Sequence, residues 1–342
     1  MAAEFIDGIN GYNSDALMID NGWTSASWGS IYPETSNGRY SGRGRVGIRY
    51  QAGIQHRVPA ELATKVLGFS YYTSSSSEPT DGEVLATFGE YGGNQHCSVR
   101  MRTGRVLQVY SIGTARGSAS TYVLPQDQWV NIQIKANIHD STGSVVIQCD
   151  NVTVLTTSGI DTKNGGDGFI TEVGVEGINP TGYYSYVDDI AVWSTTGDAP
   201  TDFVTDFDIE PLYVLADSTA QFSRSGGSTN YENVDEAVSN EGTDYVYDSV
   251  TGQYDRYSLG DMSGTIDTIY AVQTKGHIAK SDAGGVLGKI GVYSGTTEDL
   301  SAAIYPGTDY AYFTHLMTVN PDDSAAWAES DVNALLLQCE VG

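Results

Sequence analysis

From Trp129 to Ile138 apolar and polar residues alternate without a break. Val130, Ile132, Ile134, Ala136 and Ile138 stand against Asn131, Gln133, Lys135 and Asn137. Successive side chains of a strand point to opposite faces, so this period of two describes an antiparallel strand with one side on a core. A helix would scatter the same residues round its circumference. Turn chemistry follows at once: Asp140-Ser-Thr-Gly143 leads into Ser144–Cys149, and Asp150-Asn151 leads into Val152–Leu155.

Read in the same way, Val66–Tyr72, Glu83–Glu90, Phe169–Val175 and Tyr183–Trp193 are strands, and Ser98–Arg102 and Arg105–Tyr110 form a hairpin about Thr103-Gly104. Forty glycines and 23 tyrosines set among Ser and Thr suit short strands joined by tight turns. No sustained helical period interrupts them, which points to a two-sheet sandwich over residues 1–196. The closing strand places Tyr184, Tyr186, Asp188, Ile190 and Val192 on one face and Tyr183, Val187, Asp189, Ala191 and Trp193 on the other. Two carboxylates in mid-strand need a partner, because a buried carboxylate must be paired, hydrogen-bonded or metal-bound. A polar stretch then marks a linker at 197–205. Residues 206–342, with apolar runs at Ile266–Ala279, Val286–Tyr293 and Ala311–Met317 and a helical turn after Ala328, read as a second, acidic β-sandwich. The fold class is all-β, with two sandwich domains.

Charge removes several functions. Residues 1–196 carry 12 basic and 19 acidic side chains, a balance of −7, and residues 197–342 carry 5 and 24, or −19, which together give the net −26. Phosphate contacts need clustered cations, so nucleic acid is not an expected partner. No apolar run reaches 18 residues, so no membrane span is expected, and Met1–Asp7 lacks the basic start and apolar stretch of a Sec leader. Cys97, Cys149 and Cys339 are odd in number without CxxC spacing, which argues against a disulfide framework or zinc site and for folding in a reducing cytoplasm. The five histidines are scattered, and no Gly-x-Ser-x-Gly elbow or phosphate loop occurs. Glu172 and Glu176 read as an exposed sheet edge, and Glu83 and Glu90 fall on different faces. With no facing pair of acids, no enzyme is expected. Trp23 and Trp28 lie among Gly, Ser and Thr, where each is either a sugar-stacking platform or a plug at the sandwich end. The larger gain from burial favours the plug. Arg43, Arg45 and Arg49 give one strand a cationic face.

The succession Gln128-Trp-Val-Asn-Ile-Gln-Ile134, Ser144-Val-Val-Ile-Gln-Cys-Asp-Asn-Val152, Ile160-Asp-Thr162 and Tyr186-Val-Asp-Asp-Ile-Ala-Val-Trp193 resembles a concanavalin A-like (laminin-G-like) jelly roll across residues 1–196. The resemblance implies glycan contact, for which Trp23 and Trp28 are the candidates. It also implies a structural calcium between Glu4 or Asp7 of the opening strand and Asp188 or Asp189 of the closing one, the alternative being a carboxylate satisfied by backbone N–H groups. Further on, Val234-Asp-Glu236, Thr243-Asp-Tyr-Val246, Ile269–Gln273, Asp282–Gly285, Asn320-Pro321, Ala326-Trp327 and Asp331–Asn333 occur in an order similar to a module of tailed-bacteriophage virion proteins, across residues 206–342. That likeness implies a non-enzymatic structural protein of a virion, assembled in the host cytoplasm and exposed on the tail or adsorption apparatus. Its implied partners are other virion proteins, copies of itself in a symmetric oligomer such as a trimer, and a host-surface glycan. A capsid decoration or head fibre protein, and a free carbohydrate-binding lectin, are the alternatives.

Overall fold

The computed structural model describes residues 3–25, 30–35, 38–40, 44–49, 52–73, 79–178, 185–264 and 266–342. Trp28, Arg43, Tyr183 and Tyr184 lie outside them. The chain divides into two compact units, 1–209 and 210–342.

In the first unit the strands are β1 (Ala3–Asp7), β2 (Trp23–Ser25), β3 (Ser30–Glu34), β4 (Arg45–Arg49), β5 (Gly53–Leu62), β6 (Thr64–Thr73), β7 (Glu83–Gly89), β8 (Gln95–Arg102), β9 (Val106–Ser111), β10 (Thr114–Arg116), β11 (Trp129–Asn137), β12 (Gly143–Cys149), β13 (Val152–Ile160), β14 (Ile170–Glu176) and β15 (Ser185–Ser194), with a short α1 at Asp15–Asp20. They form two antiparallel sheets. One runs β13-β12-β11-β6-β15-β4-β3 with β1 added on β15, and the other runs β10-β9-β8-β7-β14-β5-β2. The chain crosses between the sheets at each step from β4 to β7, and again around β14. That interleaving makes the unit a jelly-roll sandwich of the concanavalin A-like kind. Its core holds the apolar side of β11, where Val130, Ile132, Ile134 and Ala136 are buried opposite Tyr71, Phe69, Leu67 and Lys65 of β6. The turn between β12 and β13 consists of Asp150 and Asn151 with φ of +47° and +67°, the left-handed pair that a two-residue hairpin demands. At Thr103-Gly104 the turn takes in Arg105 as a third residue.

Asn131 and Gln133, on the expected wet side of β11, are also buried. The cause is residues 202–209, which lie across the outer face of this sheet. Gln133 imitates a backbone partner: its Nε2 donates to the Val204 carbonyl at 2.8 Å and its Oε1 accepts from the Val204 N–H at 3.0 Å. The Trp193 indole donates to the Asp202 carbonyl at 2.9 Å. Phe207 meets Trp193 edge-on and fills the space over Gly68, where a Cβ would come within 2.6 Å of the ring. Part of the expected linker 197–205 is therefore a strap on the first unit, and the boundary falls after Ile209.

The closing strand also departs from strict alternation. Its pairing with β6 slips between Asp188 and Ala191, and Asp189 sits at φ +49°, the mark of a bulge. Val192 then lies opposite core-facing Leu67, whereas Asp188 lies opposite Ser70 on the other side of β6. Asp188 thus does not share a face with Val192, as a bulge-free count requires.

The second unit contains β16 (Val214–Thr219), β17 (Ser223–Arg224), β18 (Val246–Tyr247), β19 (Tyr254–Leu259), β20 (Val272–Ile278), β21 (Gly288–Ser294), β22 (Thr297–Leu300), β23 (Ala311–Met317) and β24 (Leu336–Val341), with α2 at Glu329–Asn333. A five-stranded sheet, β16-β19-β24-β21-β22, and the ribbon β20-β23 enclose a small core of Val292, Met317, Trp327, Val332 and Leu335. Asp255 of β19 is buried and accepts from the Gln221 and Phe222 N–H groups, Asn230 Nδ2 and the Tyr257 hydroxyl. No helix among the described residues is long and apolar enough to cross a membrane.

Candidate functional site

With one sheet of the first unit covered by its strap, the outer face of the seven-stranded sheet is the place where side chains gather for contact. Strands pack about 4.8 Å apart and same-face residues recur about every 6.6 Å. The register therefore sets out rows. In the middle row Tyr110 stands opposite Ser98, Ser98 opposite Thr87, Thr87 opposite Gly174, and Gly174 opposite Gln55. On one flank Gln108 faces Arg100, with Glu176 further along on β14; on the other Gly89, Glu172 and Arg57 stand side by side. A Cβ on Gly174 would lie 2.5 Å from Thr87 Oγ1 and 2.9 Å from Gln55 Cγ, which confirms that these side chains share its face. Small residues (Ser98, Thr87, Gly174, Gly89) make the floor, and larger polar and aromatic ones rise on both sides.

The charges on this face are unusual. Arg100 lies 4.5 Å from the Tyr110 ring centre and donates to Ser98 Oγ at 3.3 Å, and Arg57 lies 5.0 Å from that of Tyr91. Neither guanidinium has a carboxylate partner among the described residues, although Glu172 is Arg57's direct cross-strand neighbour. Arg102 differs, being held by Asp81 at 2.6 Å and Gln108 at 2.7 Å. Burial raises the Glu172 carboxyl, and it pushes Glu176 up to about 7 against the opposing pull of Arg100. At one end the segment 161–168 closes down: the Asn164 N–H donates to His96 Nδ1 at 3.1 Å and the Gly168 N–H to Glu90 Oε1 at 3.0 Å. Burial lowers the His96 pKa despite Glu90, 3.2 Å away. Carboxylates that accept, guanidiniums that donate and tyrosines that stack are what a polyhydroxylated chain requires. Glu176 can also exchange a proton near neutral pH. Glu172 and Glu176 stand four strand positions apart, about 13 Å, wider than the 5–10 Å of two-carboxylate glycoside hydrolysis.

The residues singled out from sequence lie elsewhere. Trp23 is buried, its indole donating to Asp7 Oδ2 at 2.8 Å and its ring packed on Phe5 and His56, so it presents no face to a sugar. Asp7 also accepts from the Ile9 N–H at 3.0 Å, the Tyr12 hydroxyl at 2.6 Å and Asn21 Nδ2 at 3.0 Å. Glu4 pairs with buried Lys65. Asp188 accepts from the Arg39 and Asp189 N–H groups, and Asp189 from the Ile209 N–H and Ser70 beside the Arg39 guanidinium. These four carboxylates do not fit a calcium site. Protein donors and two cations already engage them, leaving buried Glu4 Oε1 without a hydrogen-bond partner, and no three ligating side chains of the described first unit converge. Glu172 and Glu176 are misplaced by the edge reading, because β14 is an interior strand and both point to the open face. Arg57, Arg100, Gln108 and Tyr110 were missed altogether. Their signal is Ser98, Arg100 and Arg102 alternating with Val99 and Met101, a polar side that needed a use of its own.

No family model and no curated protein sequence matches the chain. Among solved structures, an alginate lyase Aly36B mutant in complex with alginate tetrasaccharide aligns at TM-score 0.41 and 14% identity over 55% of this chain and 95% of its own. A carbohydrate esterase from Shiga toxin-encoding bacteriophage phi24B aligns at 0.37 and 13%, over 55% and 99%. The carbohydrate recognition domain of Emp46p, in a metal-free form, aligns at 0.38 and 9%, over 56% and 96%. The expectation of a non-enzymatic chain is corrected, because its premise that no two acids share a face fails at Glu172 and Glu176; enzymes are also among these similar structures.

Proposed function

We propose that the first unit binds a glycan chain along the open face of its seven-stranded sheet, and that a tailed-phage particle carries the protein on its surface. The observation that supports glycan binding is the row from Tyr110 to Gln55, small at its centre and flanked by Arg100, Glu176, Glu172 and Arg57. Placement on a particle rests on the order of short motifs in residues 206–342, and a symmetric oligomer belongs with it. A glycan array probed with the full chain tests the binding. Binding that is lost in Tyr110→Ala and Arg100→Ala but kept in Tyr32→Ala, an exposed tyrosine on the other sheet, supports the reading, and an array without any bound glycan overturns it. Immunogold labelling of particles tests the placement, and light scattering the assembly.

A second reading, that the face also cleaves the chain it holds, is favoured by Glu176, whose carboxyl is poised near 7 beside Arg100. Reducing-end release from a bound polysaccharide, abolished in Glu176→Gln, is its expected result.

A further inference from the structure

We propose that the glycan is an acidic polysaccharide whose carboxylate or other acid groups are received by Arg57 and Arg100; this rests on the glycan-binding reading above. Each guanidinium is laid on a tyrosine ring and has no ion-pair partner among the described residues, whereas Arg102 on the same sheet is held by Asp81. Arg57 has the carboxylate of Glu172 directly across the strand pair and does not take it. A planar guanidinium fixed from below by an aromatic ring keeps its donor edge for a ligand, which is the geometry suited to bidentate capture of an acid group.

The spacing argues for a polymer. Arg100 and Arg57 stand three strands and two rows apart, about 20 Å across the sheet diagonal, so no single sugar reaches both and an extended chain does. Between them the ligand crosses Ser98, Thr87 and Gly174, residues too small to obstruct it. Burial holds Glu172 and Glu176 toward their neutral forms and so lessens the repulsion they offer an anion. The chain's net charge of −26 repels polyanions overall, so capture of one depends on local cations such as these two.

The test uses the full chain with polygalacturonate, its fully methyl-esterified form and neutral dextran, with binding followed by calorimetry at low and high salt. The acid polymer is expected to bind at least about tenfold more tightly than its ester, with the advantage shrinking in salt. Arg57→Gln and Arg100→Gln are each expected to lose about tenfold toward the acid form, the worth of one charge-assisted hydrogen bond. Both variants are expected to lose less toward the ester than toward the acid form, and circular dichroism verifies that both variants fold. Equal affinity for acid and ester overturns the acidic-ligand inference while leaving a glycan-binding face. Failure to bind these polymers, together with an empty glycan array, overturns both.

Discussion

Asp7 receives four donors, from Ile9, Tyr12, Asn21 and Trp23, within a site closed to water. Replacing it by alanine leaves buried groups bare, each costing about 1–3 kcal/mol. Asp7→Ala is expected to lower stability by about 3 kcal/mol or more, read by thermal or urea unfolding. Glu176 affects stability with the opposite pH trend from a paired acid. Its carboxyl keeps a proton to about pH 7 in the folded chain and only to the ordinary 4.5 when unfolded. The contribution is therefore full below 4.5 and is lost as pH rises toward 7. Glu176→Gln should flatten the melting temperature across that window, and an unchanged pH profile would count against this environment. At this scale the sequence was legible where residue type decides the outcome. Trp23 as a plug follows from aromatic burial, whereas its tie to Asp7 joins segments whose proximity no local pattern announces.

Strands were readable wherever one face alone meets the core. The extent of β11 and the turn at Asp150-Asn151 correspond closely to their expected forms. Because both turn residues have positive φ, Asn151→Gly should be tolerated, while Asp150→Val should cost about 1–3 kcal/mol by forcing a β-branched residue into the left-handed region. Two element-scale features defeat alternation. The bulge at Asp189 changes the side on which later residues project, and the strap turns the polar side of β11 into an interior one. Gln133 looks like a solvent residue in sequence and becomes buried because it copies backbone hydrogen bonding with Val204. A chain ending at residue 196 would uncover Trp193, Gly68 and Gln133. Residues 1–209 are expected to melt cooperatively when produced alone, and residues 1–196 to melt lower or not cooperatively, as calorimetry would show.

For the whole molecule, the excess of 43 acidic over 17 basic side chains sets a self-repulsion that salt screens, since the Debye length falls to about 10 Å at 0.1 M. Unfolding midpoints should rise with added sodium chloride in the low-salt range, and a fall would locate the stabilising electrostatics in specific pairs instead. Sandwich architecture and the absence of long helices were legible from periodicity; the working face was not, because polar residues on neighbouring strands acquire a common purpose only after pairing brings Gln55, Thr87, Ser98 and Tyr110 into line. The pairing of β1 with β15, Phe5 beside Val192 and Asp7 beside Ile190, has a temporal consequence. During translation the domain's opening ribbon emerges well before the late strand it pairs with, and such distant closure is slow. The sandwich must therefore be completed after its synthesis, with the opening segment shielded or solvated until its late neighbour arrives.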